Sequence, residues 1–117
     1  MSGIFYTDIL NMKINVKATN LELTAPLQEY IEEKIGSLEK FLVKPGGAKE
    51  AHFTAWVEVA RTTRHHHKGD VYYAECDIKL KGKMLRAEDT NFDIRVAIDA
   101  VRDKLQREIK KYKARKI

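Results

Sequence analysis

A single cysteine, two prolines and the want of any long apolar run set the first limits on this 117-residue chain. One thiol, Cys76, excludes an internal disulfide framework and points to a reducing compartment, so the cytoplasm is the expected location. No stretch approaches the ~20 apolar residues of a membrane-spanning helix. The opening residues lack the basic start and apolar run of a signal peptide. No membrane partner is therefore expected. Also missing are a Gly-x-Gly-x-x-Gly turn, a Walker-type loop, a Cys-x-x-Cys pair and a His-Glu-x-x-His helix. Their absence leaves no residue set for catalysis, no cofactor, no metal site and no small-molecule substrate among the expectations. There is no internal repeat and no low-complexity segment.

What the chain does have is an excess of basic charge, and it is unevenly placed. There are 22 Lys+Arg against 17 Asp+Glu, a net charge of +5, and the pI is about 9.3. Such a balance favours a polyanionic partner, nucleic acid first and an anionic membrane surface second. Residues 91–117 hold 9 Lys+Arg and 4 Asp+Glu, a net +5 that equals that of the whole chain. In the same segment Ile94, Ile98, Val101, Leu105, Ile109 and Tyr112 repeat at helical spacing. Arg95, Arg102, Lys104, Arg107, Lys110, Lys111 and Lys113 fall on the remaining faces. The segment reads as one long helix over residues 92–113, apolar on one side and cationic around the rest. The plain alternative is a solvated, lysine-rich surface helix.

The other elements follow from period and punctuation. Residues 1–11 show no clean pattern and read as a loose leader, with a single domain over 12–117. Met12, Ile14, Val16 and Ala18 alternate with polar residues as in a half-buried strand. Thr24 is placed to cap a helix with Pro26 in its first turn. That helix carries Leu27, Tyr30, Ile31, Ile35, Leu38 and Phe41 on its apolar side and ends at Pro45-Gly46-Gly47. A second strand spans 51–60, with Phe53, Ala55, Val57 and Val59 inward and Trp56 outward. Trp56 reads as a packing residue on a partly covered sheet, with a stacking platform for a base as the other reading. After a basic connection over 61–70, a third strand places Tyr72, Ala74, Cys76, Ile78 and Leu80 inward. Cys76 is thus a small core residue. Lys81-Gly82 reads as a tight hairpin turn into a fourth strand over 83–87, and Asp89, Thr90 or Asn91 can cap the last helix. The expected fold is α+β: a two-layer β-α-β-β-β-α sandwich, a four-stranded sheet with both helices on one face.

His65, His66 and His67 invite a metal reading. Neighbours on an extended segment point in alternate directions, so three in a row do not converge on one ion, and the segment reads as a flexible basic loop. Glu75 and Asp77 share an exposed sheet face with no pocket to tune them, which gives no acid–base role. The basic residues remain. Lys34 and Lys40 lie on the first helix, Arg64 and Lys68 on the loop, and Lys81 and Lys83 at the hairpin. Arg102, Lys104, Arg107, Lys110, Lys111 and Lys113 lie on the last helix. With both helices on one side of the sheet, these residues form a candidate RNA-binding surface. It would read shape and phosphates rather than base edges, with salt-sensitive affinity.

The order and spacing of several segments resemble the ribosome hibernation-promoting factor family, also called protein Y or ribosome-associated inhibitor. They are Met12-Lys-Ile-Asn-Val, Thr24-Ala-Pro-Leu-Gln-Glu-Tyr-Ile-Glu-Glu-Lys-Ile-Gly-Ser-Leu-Glu-Lys40, His66-His-Lys-Gly-Asp70 and Leu80-Lys-Gly-Lys-Met-Leu-Arg-Ala-Glu88. The last and most specific is Asp93-Ile-Arg-Val-Ala-Ile-Asp99, followed by Asp103-Lys-Leu-Gln-Arg107. The resemblance implies a β-α-β-β-β-α fold similar to a double-stranded-RNA-binding domain. It further implies a translation inhibitor that binds 16S rRNA of the small ribosomal subunit in the decoding region. There it would block messenger and transfer RNA in stress or stationary phase. Lys34, Lys40, Lys104, Arg107 and Lys111 are the implied rRNA contacts by position. Arg95 stands where the family usually has Tyr, and Glu108 where it often has Gln. The chain resembles the short form of the family, or a fragment of a long one. Two rivals stand beside this reading: a structured-RNA-binding module that does not act on ribosomes, and a metal-dependent enzyme built on the His cluster.

Overall fold

A computed structural model describes residues 2–9 as backbone and residues 12–42, 53–62, 71–80 and 82–115 with their side chains. The His65–His67 loop, the Pro45-Gly46-Gly47 stop, Arg64, Lys68 and Lys81 lie outside the described residues. Five strands form one mixed sheet in chain order: β1 (Ser2–Ile9), β2 (Met12–Thr19), β3 (Phe53–Thr62), β4 (Val71–Leu80) and β5 (Lys83–Asn91). Three helices, α1 (Ala25–Gly36), α2 (Glu39–Leu42) and α3 (Ile94–Arg115), cover one face. β2 and β3 are parallel, with Val16 opposite Val57, as the crossover through α1 requires. β3, β4 and β5 are antiparallel neighbours. All four expected strands are present in an α+β sandwich with its helices on one side.

The structure adds a fifth strand. Ser2–Ile9, expected as part of a patternless leader, pairs antiparallel with β2 in a register that sets Ile9 opposite Met12 and Ser2 opposite Thr19. Its alternation is blurred because an edge strand answers chiefly to backbone hydrogen bonds, which any residue but proline supplies.

Alternation and helical period explain the core. Met12, Ile14, Val16 and Ala18 of β2 meet Ala55, Val57 and Val59 of β3 and Ala74, Cys76 and Ile78 of β4 on one face, all buried. Leu27, Ile31, Ile35 and Leu38 cover the β2 side. Ala97, Ile98, Val101, Leu105 and Ile109 of α3 cover β4 and β5. Burying a side chain of this size removes about 1.5–3 kcal/mol of unfavourable hydration relative to exposure.

Element ends differ from the expected ones for local reasons. The single helix expected over Leu27 to Phe41 is broken. α1 ends at Gly36, the poorest helix former there, and the Ser37 hydroxyl donates to the Lys34 carbonyl at 2.6 Å. One short turn, α2, then carries Lys40 and Phe41. Thr24 caps α1 as expected, its Oγ1 accepting from Leu27 N at 3.3 Å. α3 is capped two residues beyond Asn91, the last of the expected caps. Asp93 Oδ1 accepts from Arg95 N at 2.9 Å, while Asn91 Oδ1 accepts from Asp93 N at 3.0 Å. Gly82, at φ +75° in the β4–β5 turn, adopts a conformation that favours glycine.

Ile98 and Leu105 sit at the centre of the α3 contact, 1% and 0% exposed. Replacing either with Ala should cost about 2–5 kcal/mol, read as a lower urea midpoint at unchanged slope. Cys76 is fully buried, and burial pushes its thiol well above the ordinary range. An alkylating reagent should therefore label it only as fast as the protein unfolds.

Candidate nucleic-acid interface

The basic residues of α3 sort onto two flanks because the helix turns about 100° per residue. One flank faces α1 and α2 across a seam. Arg95, Asp99, Arg102, Gln106, Lys110 and Lys113 recur along it, opposite Tyr30, Lys34, Ser37, Lys40 and Phe41. The other flank faces β5 and carries Lys104, Arg107 and Lys111.

The seam is built on two aromatic rings. Around Tyr30, Lys34 Nζ stands 5.5 Å and the Arg95 guanidinium 5.3 Å from the ring centre. Around Phe41, Lys40 stands at 5.2 Å, Lys110 at 5.7 Å and Arg102 at 5.8 Å. Lys113 Nζ donates to the Phe41 carbonyl at 2.8 Å. A cation over an aromatic face gains about 0.5–1 kcal/mol at an exposed site, and the ring limits where the charge can go. Arg102 is fixed further: its Nε donates to Ser37 Oγ at 3.1 Å, and its terminal nitrogen reaches Gln106 Oε1 and Asp103.

Charge on this seam is only partly answered. Asp99 Oδ1 takes the Tyr30 hydroxyl at 2.6 Å and Lys34 Nζ at 3.7 Å. A depression of about 380 Å³ lies between the helices, lined by Lys34, Ser37, Asp99, Arg102, Asp103 and Glu33. Lys40, Lys110 and Lys113 extend the positive run past Phe41. Like charges gathered round one ring repel one another, and a phosphate backbone laid along the seam relieves that repulsion while releasing its own counterions.

The second flank is more committed to the fold. Lys104 Nζ donates to the Glu88 carbonyl at 2.7 Å and pairs with Asp89 at 3.3 Å, so it covers the outer edge of β5. Lys111 pairs with Glu108 at 3.5 Å. Arg107 is exposed in a groove of about 610 Å³ that it shares with Arg86, Glu88, Lys104 and Glu108. Lys83 is exposed at the start of β5. The structure thus brings together Lys34, Lys40, Arg102, Lys110 and Lys113, and sets Lys104, Arg107 and Lys111 on a different face. Arg95, Tyr30, Ser37 and Phe41 belong to the seam and were not among the expected site residues. Tyr30 and Phe41 read in sequence as part of the apolar stripe. Arg95 was visible in sequence as one of the basic residues on the last helix and as an unusual residue at its position.

Residues 14–117 match the family described as "Sigma 54 modulation protein / S30EA ribosomal protein". The chain belongs to this family. The curated protein "Ribosome hibernation promotion factor" of Lactococcus lactis subsp. cremoris is 36% identical over 105 residues, which are 89% of this chain and 51% of that protein. Its counterpart of the same name in Staphylococcus aureus is 33% identical over 104 residues, 89% of this chain and 50% of that one. The chain therefore spans about half the length of the curated relatives it matches. Among solved structures, the Thermus thermophilus Protein Y N-terminal domain superposes with a TM-score of 0.65 at 23% identity, over 83% of this chain and 93% of that one. A "ribosomal subunit interface protein from Coxiella burnetii" gives 0.56 at 18% identity, over 85% and 97%. At these identities the likeness is one of fold.

The bond from Tyr30 to Asp99, helped by partial burial, raises the phenol from its ordinary 10.0 to about 12. The fold favours the neutral phenol. Its stabilising effect is therefore complete below about pH 10 and is lost as pH rises toward about 12. An ultraviolet tyrosinate titration should show a late-ionising component that shrinks in Tyr30→Phe and moves to lower pH in Asp99→Asn.

Proposed function

We propose that this protein is a ribosome-associated hibernation factor. In this reading it binds 16S rRNA of the small subunit in the decoding region and keeps messenger and transfer RNA out. The observation that carries the reading is family membership over residues 14–117, which include every residue of the cationic seam. The names of its relatives supply the ribosome as partner and hibernation as the outcome.

The seam supplies a physical means. Its cations are held on rings and hydroxyls at fixed positions, so little conformational freedom is lost when they meet phosphates. Helix side chains on a rigid scaffold suit a folded RNA, whose groove shape and phosphate spacing are fixed in turn. The protein acts by occupancy, as a cytoplasmic factor that makes and breaks no covalent bond. It competes with the ligands of the site it fills.

Occupancy has a stoichiometric signature. Titrated into a translation reaction at fixed ribosome concentration, inhibition should saturate near one protein per small subunit and reverse in high salt. Inhibition at a far lower ratio, growing with time and accompanied by cut or modified rRNA, would sink the proposal. Tight binding to any duplex RNA with no preference for the subunit would favour the generic RNA-binding reading instead.

The two flanks of α3 make a sharper comparison. The double change Lys34→Glu and Lys110→Glu removes seam cations that hold no buried contact. It should weaken subunit binding by on the order of tenfold or more at moderate salt and flatten the log–log salt dependence by roughly one unit per lost contact. Arg107→Glu with Lys111→Glu, on the β5 flank, should have the smaller effect. Equal losses from both pairs would mean that the RNA wraps the whole helix.

A further inference from the structure

The sheet face turned away from the helices carries a cleft of about 600 Å³, and Trp56 stands in it, 42% exposed. Side chains on one face of a sheet recur at every second residue, so strand register decides which groups surround this indole. On β2, the strand on one side, Lys13, Asn15 and Lys17 face the cleft. On β4, the strand on the other side, Glu75 and Asp77 face it. Glu58 follows Trp56 on β3 itself. The cleft is therefore polarised, with cations along β2, carboxylates along β3 and β4, and an aromatic ring between them.

The carboxylates are not equally free. Arg86 of β5 makes a close pair with Glu75, brings its Nε to 3.8 Å from Asp77 and lies 3.6 Å from Glu88. Glu58 stands opposite Lys17 in the register, yet it has no cation within ion-pair distance among the described residues. Its Oε2 accepts from Thr19 Oγ1 at 3.3 Å. On its other side it is directly opposite Glu75, and like charges so placed destabilise the pair. A donor brought to Glu58 relieves that repulsion. Taken together, Glu58, Glu75 and Asp77 face Lys13, Lys17 and Arg86, so the cleft selects by polarity rather than by net charge.

An occupant of this cleft must be flat to lie on the indole, anionic toward β2 and hydrogen-bond donating toward Glu58. Lys13 and Lys17 repel a cationic side chain. A nucleotide has the required form: phosphates for the lysines, a base to stack on the indole, and a far edge for the carboxylate. That edge decides which base. Guanine alone among the RNA bases presents two adjacent donors, N1–H and the N2 amino group, which match the two oxygens of a carboxylate. Adenine, cytosine and uracil each set an acceptor beside their donor. The lysines also bear on the source of the nucleotide. They are four residues apart, about 13 Å along a strand, one on either side of Asn15, the register partner of Trp56. A free mononucleotide carries phosphate at one end, whereas a nucleoside within a strand has a phosphate on each side.

We propose that the open sheet face binds single-stranded RNA at an unpaired guanosine, with the base on Trp56, its N1–N2 edge on Glu58 and its two flanking phosphates on Lys13 and Lys17. The seam lies on the helix side of the sheet and this cleft on the other. The protein thus holds folded RNA with its helices and an unpaired strand with its sheet. The inference stands whether or not the seam's partner is ribosomal.

Trp56 is the chain's one tryptophan, so its emission reports this face directly. The RNA pentamer UUGUU titrated into the intact protein should quench that emission saturably. UUAUU should bind about fivefold or more weakly, the discrimination of one good bidentate pair, and GMP should also bind more weakly than UUGUU. Glu58→Gln should narrow the difference between the two pentamers, and Lys17→Gln should weaken both alike, with thermal unfolding showing that each variant is folded. Lys34→Glu with Lys110→Glu on the seam should leave the response to UUGUU unchanged, which separates this cleft from the seam's RNA. No saturable quenching by UUGUU, equal affinity for UUAUU, GMP binding as tightly as the pentamer, or a response lost in the seam variant would overturn the proposal.

Discussion

The apolar stripe of α3 can leave water in one way, by lying along the β4–β5 side of the sheet. Ile98, Val101, Leu105 and Ile109 are each 1% exposed or less once it does so. That contact sets the rotation of a 22-residue helix. Because side chains follow one another at fixed angular steps, burying one stripe also assigns every other residue to a flank. Arg95, Arg102, Lys110 and Lys113 are turned toward α1 and α2, and Lys104 is turned onto the edge of β5. The apolar contact therefore fixes the place of charges that make no part of it.

Between the helices, the polar and aromatic residues hold those charges in register. Tyr30 and Phe41 are only partly buried; each packs one side against the core and offers the rest to cations. The break after Gly36 matters here, because the short turn of α2 sets Phe41 among Lys40, Arg102 and Lys110. Ser37, freed from the helix, takes Arg102 Nε while its own hydroxyl proton goes to the Lys34 carbonyl. A helix end that looked like a loss of regularity thus gives the seam its anchor.

The sheet separates two surfaces of unlike chemistry. Period-two alternation sends apolar residues to the helices and polar ones to the open face, so each strand contributes to both. On the open face the register of four strands gathers Glu58, Glu75 and Glu88, while Tyr73 and Arg86 serve them. The bond from Tyr73 holds the Glu88 carboxyl below its usual range, and burial together with that bond raises the Tyr73 phenol. A residue such as Trp56 is then neither core nor idle surface. It is 42% exposed and stands between Asn15 and Asp77, with Arg86 beyond.

By itself the sequence determined the elements and the layer they form. Periods of two and 3.6 residues, Thr24 before Pro26, and Lys81-Gly82 between alternating runs are local signals that packing did not override. They were enough for the α+β sandwich, the inward set of β2, β3 and β4, the burial of Cys76 and the apolar stripe of α3. β1 escaped because an edge strand needs a partner more than a pattern. The cap at Asp93 escaped because β5 runs on to Asn91, as its pairing with Tyr72 allows. The division of the basic residues into a seam and a flank came only with the tertiary structure. So did the gathering of Tyr30 with Arg95 and of Phe41 with Arg102, and the rows on the open face. Each depends on which residues distant in the chain become neighbours, and that is set by helix rotation and strand register rather than by the residues themselves.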